Sequence, residues 1–283
     1  MFGEWGSGFG GGVDVCDHRS LEGVGRVAVH STAVVHASAK VGSAVEIGPY
    51  CAVGEGVELG EGCVLRHQVN LEGPSRFGKK NVFHPFCSIG GKTQDLKYQG
   101  EPTYLEVGDE NDFREFVTVN RGTGPKEKTV IGSRNHFLAY AHIAHNCVVG
   151  NDCIFSNNGT LAGHVIVGDF AVVGGLSAVH QFCRIGRHAM IGGCTKVVQD
   201  VLPYMIADGN PAVTRAVNLT GLQRKNFSED SIRGLKDALK VLLNPKYNLS
   251  QAREYLAEKG APTAEVKELI EFLKTSERGV VLR

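Results

Sequence analysis

Apolar residues recur at every sixth position along most of this chain. The series runs from Val29 to Ile89, resumes at Val107, and then runs from Ile131 to Val197. An amphipathic helix repeats its apolar positions about every 3.6 residues and a half-buried strand every two, so neither explains this period. A fixed internal repeat instead indicates a solenoid. We therefore predict a mainly β fold, a left-handed parallel β-helix of hexapeptide repeats followed by a C-terminal α-helical domain.

Each hexad supplies one short strand and a turn, so three hexads form one triangular coil of about 18 residues. Glycine often follows the apolar residue, as at Gly42 and Gly48, and we expect it to relieve strain at the turn. A second inward position lies four residues after the first and carries small side chains. Free cysteine behaves as a small hydrophobe, so we expect buried thiols in a reducing compartment at the six cysteines on this position. These are Cys51, Cys63, Cys87, Cys147, Cys153 and Cys183.

The repeat divides the chain into three parts. Residues 1–28 are predicted to be a flexible glycine-rich extension, residues 29–202 the β-helix, and residues 203–283 the helical domain. Two excursions, at 91–105 and 120–128, interrupt the repeat, and long loops on a regular solenoid are usually functional. In the last part, Ser228 precedes two acidic residues and an apolar pattern of helical period, which predicts a helix N-cap. Further helices are expected from about Ser250 and Thr263.

Composition narrows the possible partners. The formal net charge of zero argues against nucleic acid or an anionic membrane as the main partner. No run approaches the roughly 20 apolar residues that span a bilayer, so no stable membrane insertion is expected. The N-terminus lacks the cationic and apolar regions of a secretory signal, which favours a cytoplasmic location.

The stretch AHIAHNC (141–147) suggests catalytic chemistry. Residues 18 apart stack on one face of the β-helix, which places His145 beside Gly163 and then Gln181, and Asn146 beside His164. A neutral imidazole is a good general base, and a backbone N–H at Gly163 would suit an oxyanion. This combination is typical of acyl transfer without a covalent acyl-enzyme. A structural role for these histidines remains the alternative at this point.

Several segments resemble one family in its order along the chain. They are QDLKYQGEPT (94–103), AHIAHNC (141–147), LAGHV (161–165), AVHQFCRIG (178–186) and GNPA (209–212). The chain is similar to the cytoplasmic acyl-[acyl-carrier-protein]–UDP-N-acetylglucosamine O-acyltransferases that begin lipid A biosynthesis. The resemblance implies transfer of an (R)-3-hydroxyacyl chain from acyl carrier protein to the 3-hydroxyl of UDP-N-acetylglucosamine. It also implies a homotrimer with sites between adjacent subunits and no metal or other cofactor.

The same resemblance implies roles for individual residues. His145 would be the general base, Gly163 the backbone oxyanion donor and Asn146 a residue that orients the base. Gly193 would be the acyl-chain ruler, although the preferred chain length does not follow from it. The expected substrate-binding residues are Asp95, Lys97, His142, His164, His180, Gln181, Asn218, Arg224 and Lys225.

Departures from the family pattern leave alternatives open. Some members carry aspartate where this chain has Asn146, and Thr220 and Lys225 replace an acidic residue and an arginine. The same pocket could acylate the 3-amino group of a diamino-sugar analogue. The histidines could also serve a zinc-dependent hydratase on this fold, which would use three of them across a subunit interface. A non-catalytic scaffold is the third alternative. A basic surface near Arg184, Arg187 and Lys196, or one on the C-terminal helices, is a plausible dock for acyl carrier protein.

Overall fold

The computed structural model describes residues 27–282, so all but the end of the predicted glycine-rich extension lies outside the described residues. The chain passes in turn through three mainly parallel sheets, and a regular coil advances 18 residues, as where Val29 pairs with Ile47. The predicted left-handed parallel β-helix with a helical C-terminal region is confirmed.

The strands of each sheet are very short. The first sheet contains Ala28–Val29, Glu46–Ile47, Val64–Leu65, Val82–Phe83, Asp112–Phe113, His136–Phe137, Ile154–Phe155, Val172–Val173, Met190–Ile191, Met205–Asp208 and Val213–Val217. The second contains Val34–Val35, Ala52–Val53, Asn70–Leu71, Ser88–Gly91, Thr118–Asn120, His142–Ile143, Thr160–Leu161, Ala178–Val179 and Lys196–Val197. The third contains Lys40–Val41, Val57–Leu59, Ser75–Phe77, Tyr104–Val107, Lys128–Ile131, Val148–Val149, Ile166–Val167 and Arg184–Ile185.

The apolar residues of the repeat fill the interior of this prism. Phe113 stacks on Phe137 with ring centroids 4.9 Å apart, and Phe137 stacks on Phe155 at 5.0 Å. The six cysteines on the second inward position are buried free thiols, as predicted. Burial raises the pKa of the Cys147 thiol to about 12, so it stays neutral in the core.

The glycines of the repeat have a different role from the one expected. A Cβ on Gly42 would lie 2.9 Å from the backbone nitrogen of Glu61 in the next coil. Gly42 does not have a positive φ; that conformation belongs to other corner residues such as Ala44 and Tyr50. Glycine here therefore allows close approach of successive coils and does not relieve strain at the turn.

Two loops interrupt the coils where predicted. The first loop (92–103) separates Ser88–Gly91 from Tyr104–Val107, and the second loop (121–127) separates Thr118–Asn120 from Lys128–Ile131. Across them Phe77 pairs with Val107 and Val107 with Ile131, so these coils are longer than the regular 18 residues. Both insertions leave the repeat in phase.

The β-structure extends beyond the predicted boundary at residue 202. Met205–Asp208 adds to the first sheet in parallel, and Val213–Val217 then pairs with it antiparallel. The hexad pattern ends before these two strands because the second of them reverses direction. Met205 and Ala207 are nevertheless buried like the residues of the repeat.

Four helices follow: α1 (Leu219–Arg224), α2 (Glu229–Leu242), α3 (Leu249–Lys259) and α4 (Ala264–Lys274). The Ser228 side chain accepts from the N–H of Ser231, which confirms the predicted N-cap of α2; α1 was not predicted. The helices bury their own apolar faces, including Leu235 and Leu269. Within the described residues, no helix is both long and apolar enough to span a membrane.

Candidate active site

The corners of the prism form three edges, and most of the candidate residues lie on or beside one of them. The histidine edge (144–147, 162–165 and 180–183) joins the second sheet to the third. The helical edge (150–153, 168–171 and 186–189) joins the third sheet to the first. The aromatic edge (48–51, 66–69, 84–87, 114–117, 138–141, 156–159, 174–177 and 192–195) joins the first sheet to the second.

The His145 imidazole is held by a hydrogen bond at Nδ1 and has a carboxylate near Nε2. Its Nδ1 lies 3.0 Å from Oδ1 of Asn146, and an N–H can only be donated in that direction because the amide oxygen is an acceptor. Nε2 is therefore the unprotonated nitrogen of the neutral ring. It lies 3.9 Å from Oδ2 of Asp95, too far for a hydrogen bond but close enough for the carboxylate to interact with charge on the ring.

Asn146 is itself fixed by three further partners. Its Oδ1 also accepts from the N–H of Thr123 at 3.0 Å, and its Nδ2 donates to the Glu127 carboxylate at 2.7 Å. Its own N–H donates to the Thr129 hydroxyl at 2.8 Å. The side-chain amide cannot flip without losing its bonds to Thr123 and Glu127, so its oxygen stays directed at His145.

Gly163 lies directly against the His145 ring. A Cβ at this position would be 2.5 Å from Nε2 and 3.1 Å from Nδ1, so only glycine leaves room for the imidazole. Within residues 27–282 the Gly163 N–H has no hydrogen-bond acceptor, whereas its carbonyl accepts from Phe182 at 3.1 Å. An imidazole with an unprotonated nitrogen thus adjoins a free backbone donor, an arrangement that is suited to acyl transfer.

The first loop brings Asp95 over this edge. The Asp95 N–H donates to the Thr93 hydroxyl at 3.1 Å, and Oδ1 of Asp95 accepts from the N–H of Lys97 at 2.9 Å. Thr93 in turn accepts from the Thr123 hydroxyl at 2.8 Å, which ties the first loop to the second. The Lys97 side chain is exposed beside the site.

Two of the other three histidines, His142 and His164, lie beside His145. His142 lies on the second sheet with Nδ1 2.7 Å from the Thr118 hydroxyl, and burial followed by the neighbouring His145 lowers the pKa of His142. The His164 ring meets His145 edge-on with centroids 5.2 Å apart, and burial likewise lowers the pKa of His164. His180 and Gln181 lie exposed two coils on from the His142–His145 stretch, and Arg278 reaches His180 Nδ1 at 3.4 Å.

The remaining candidates lie elsewhere in this chain. Asn218 caps α1 and donates from Nδ2 to the His188 carbonyl at 3.0 Å, and Lys225 lies 4.6 Å above the Phe170 ring, so both lie at the helical edge. Arg224 is exposed between them on α1. Gly193 lies at the aromatic edge, where a Cβ would have its nearest neighbour at 3.5 Å. One chain alone does not bring these residues to His145.

Sequence reasoning missed several residues that hold the site. Glu127, Thr123 and Thr118 contact candidate residues, but no motif singled them out. Arg184, which is predicted to contribute to a basic dock, donates to the Thr275 carbonyl at 3.0 Å and stacks 4.3 Å from the Phe272 ring. Among residues 27–282, no group of three or more histidine, cysteine, aspartate or glutamate side chains is arranged to hold a metal ion.

Comparison with known proteins gives a consistent result. The family profile described as UDP N-acetylglucosamine O-acyltransferase, domain 2, matches residues 200–281, and that for six repeats of the bacterial transferase hexapeptide matches residues 128–163. The solved structure of LpxA from Acinetobacter baumannii is 42% identical, with a TM-score of 0.86 over 89% of this chain and 99% of that one.

Two other relatives extend this comparison. The UDP-N-acetylglucosamine O-acyltransferase (LpxA) of Moraxella catarrhalis RH4 is 40% identical, with a TM-score of 0.85 over 89% of this chain and 99% of that one. The Arabidopsis UDP-N-acetylglucosamine acyltransferase is 33% identical, with a TM-score of 0.79 over 90% of this chain and 100% of that one. The similarity therefore covers nearly the whole length of each relative.

Proposed function

Since this chain belongs to the UDP-N-acetylglucosamine O-acyltransferase family, we propose that it transfers an (R)-3-hydroxyacyl chain from acyl carrier protein to the 3-hydroxyl of UDP-N-acetylglucosamine, the first step of lipid A biosynthesis. One observation carries the proposal for the site. His145 has its Nδ1 held by Asn146 and its Nε2 open beside the free N–H of Gly163.

In the proposed reaction His145 is the general base. Its Nε2 removes the proton of the sugar 3-hydroxyl while that oxygen attacks the thioester carbonyl of the acyl carrier protein. The carbonyl oxygen becomes an oxyanion, and the Gly163 N–H donates to it. No covalent acyl-enzyme is formed, because the acceptor hydroxyl itself is the nucleophile.

The second step collapses the tetrahedral intermediate. The C–S bond breaks, the carbonyl re-forms, and the imidazolium of His145 returns its proton to the departing thiolate of the carrier. Asp95 lies 3.9 Å from Nε2 and stabilises the imidazolium between the two proton transfers. With Lys97 it would also bind the sugar nucleotide, together with the exposed His180 and Gln181.

A homotrimer is part of the proposal, because it would complete the site. Packing the first sheet of one copy on the second sheet of the next places the helical edge of one beside the histidine edge of the other. Asn218, Arg224 and Lys225 of one copy would then face His145 of its neighbour and bind the uridine and phosphates. Gly193 would lie between the two facing sheets, where it could set the length of the acyl chain.

The exposed side chains support this packing. The aromatic edge, which this arrangement directs to the three-fold axis, exposes Tyr50, Phe86, Phe116, Tyr140 and Leu176. Three of these form a stack, with Phe116 4.9 Å from Phe86 and 4.8 Å from Tyr140. An exposed apolar stripe of this kind marks an interaction surface. The third sheet, which would remain exposed, carries ion pairs such as Lys40–Glu58 at 2.5 Å.

A cytoplasmic reaction is also part of the proposal. The seven cysteines within residues 27–282 are free thiols, as expected in a reducing compartment.

The proposal is tested by acyl transfer from (R)-3-hydroxyacyl carrier proteins to UDP-N-acetylglucosamine in the presence of a chelator. Wild-type protein should form the ester product, and His145→Ala should lower kcat by about 10²-fold or more. A parallel assay with the 3-amino analogue of the acceptor separates O- from N-acylation. Product with neither acceptor, or activity that chelation abolishes, would contradict the proposal and favour a scaffold or a zinc enzyme.

A further inference from the structure

Asn146 leaves the base without an adjacent carboxylate on its Nδ1 side, although the hydrogen-bond chain does not end at the amide. The Asn146 side chain accepts from His145 Nδ1 at 3.0 Å and donates to Oε2 of Glu127 at 2.7 Å. We propose that Glu127 is a positioning residue that acts through Asn146, so that its negative charge holds the amide oxygen on His145 and stabilises the imidazolium. This inference rests on the proposed function of His145 as the base.

The second loop fixes Glu127 in place. Its Oε2 accepts from the N–H of Gly124 at 2.9 Å, its own N–H donates to the Gly124 carbonyl at 2.9 Å, and its carbonyl accepts from Tyr104 at 3.0 Å. The loop also supplies the Thr123 N–H to Asn146 Oδ1. The carboxylate and the amide are thus positioned by one short segment of chain, although the Glu127 side chain is exposed to solvent.

The charge state of Glu127 is suited to this role. The Gly124 N–H and the Asn146 amide together hold the pKa of the Glu127 carboxyl below its ordinary value, so it is ionised at neutral pH. A carboxylate that accepts from an amide N–H polarises that amide and makes its oxygen a better acceptor for His145. The other charged or titratable groups around the ring are Asp95 at Nε2 and the neighbouring His142 and His164.

Glu127→Gln removes the charge but can keep the hydrogen bonds, since a glutamine oxygen still accepts from Asn146 and Gly124. We expect kcat to fall about three- to tenfold, a range that allows for solvent screening of an exposed carboxylate. The acidic limb of the pH–rate profile should move to lower pH, because the imidazolium is less stabilised. Glu106→Gln is the matched control: that carboxylate accepts from Lys128 at 2.7 Å on the neighbouring strand and has no bond to Asn146.

The decisive variant moves the charge instead of deleting it. In Glu127→Gln/Asn146→Asp the carboxylate would accept directly from His145 and Thr123, and the glutamine NH2 group would donate to it. The three side-chain hydrogen bonds at position 146 then survive, with only the one to position 127 reversed in polarity, while the Gly124 N–H loses its acceptor on Oε2. Because the negative charge again lies beside His145, this double variant should be more active than Glu127→Gln and approach the wild-type kcat. Asn146→Asp alone should be less active than the double variant, because it places two carboxylates 2.7 Å apart.

A second readout separates this inference from the proposed function. Labelled-histidine NMR follows the titration of the His145 ring without substrate, and its midpoint should fall in Glu127→Gln and recover in the double variant. If the wild-type protein does not transfer acyl chains, the proposed function is refuted. The titration would still report whether Glu127 acts on His145. Two results would overturn the role of Glu127. One is wild-type kinetics together with an unchanged His145 titration in Glu127→Gln. The other is an effect of Asn146→Asp that is the same in the wild-type protein and in Glu127→Gln.

Discussion

Gly163→Ala perturbs the site by the smallest possible change. A Cβ at this position would lie 2.5 Å from Nε2 of His145, whereas ordinary van der Waals contacts are about 3.5 Å or longer. The neighbouring coils hold the backbone of residue 163, so the imidazole has to move by about 1 Å. A displacement of that size at a catalytic group can lower the rate by about 10²-fold.

The expected result is a fall of about 10²-fold in kcat with little change in KM for UDP-N-acetylglucosamine. Alanine keeps the backbone N–H, so the loss would report on the position of the base and not on removal of the oxyanion donor. Steady-state acyl transfer gives both constants, and thermal unfolding checks that the variant is folded.

Gly234→Ala is the control for this substitution. It places a methyl group on α2, where the nearest atom is a side-chain carbon of Val266 at 3.1 Å and no candidate site residue is in contact. It should retain the wild-type rate. If the Gly163→Ala protein is folded and has the wild-type kcat, the packing against Gly163 does not determine where the His145 imidazole lies.

Three further predictions test other parts of the account. Burial, with Arg187 and Lys225 nearby, lowers the pKa of His188 from 6.5 to about 4. The folded protein keeps this ring neutral, so the stability that it contributes is complete above pH 6.5 and is lost as the pH falls towards 4. The free energy of unfolding should fall by about 3 kcal/mol over this range. In urea unfolding, His188→Phe should lack that part of the pH dependence, and an equal pH dependence in the two proteins would contradict the prediction. Tyr140→Glu, on the aromatic edge, should yield inactive 30.4-kDa monomers by sedimentation, and an active trimer would show that this edge does not face the axis. Gly193→Met should shift the preference among competing acyl carrier proteins to shorter chains, since the position is open, and an unchanged preference would exclude it as the ruler.

The regular part of this molecule could be predicted from sequence because one short rule is repeated. A strand of two residues carries almost no signal by itself, but the six-residue period fixes the fold, and the register of 18 residues places Gly163 and His164 beside the Ala141–Cys147 stretch. Both loop insertions preserve that phase, so the prediction remained in register on either side of them.

The irregular parts could not be predicted in the same way. Glu127 reaches Asn146 only because the second loop turns back at Gly124, and no periodic pattern describes a turn of this kind. Asn218 follows the end of the repeat, and its place at the helical edge depends on the antiparallel strand Val213–Val217. The distribution of candidate residues over different edges therefore emerged only from the fold.

The most direct test of the account is whether His145 and Arg224 of different copies form one site. His145→Ala and Arg224→Glu proteins should each be nearly inactive as pure trimers. Co-expressed trimers combine an intact histidine edge from one parent with an intact helical edge from the other at about one in four interfaces, if the copies mix at random in a head-to-tail ring. Acyl transfer should then recover to about a quarter of the wild-type rate. Mixed trimers that remain as inactive as their parents would contradict a site shared between copies.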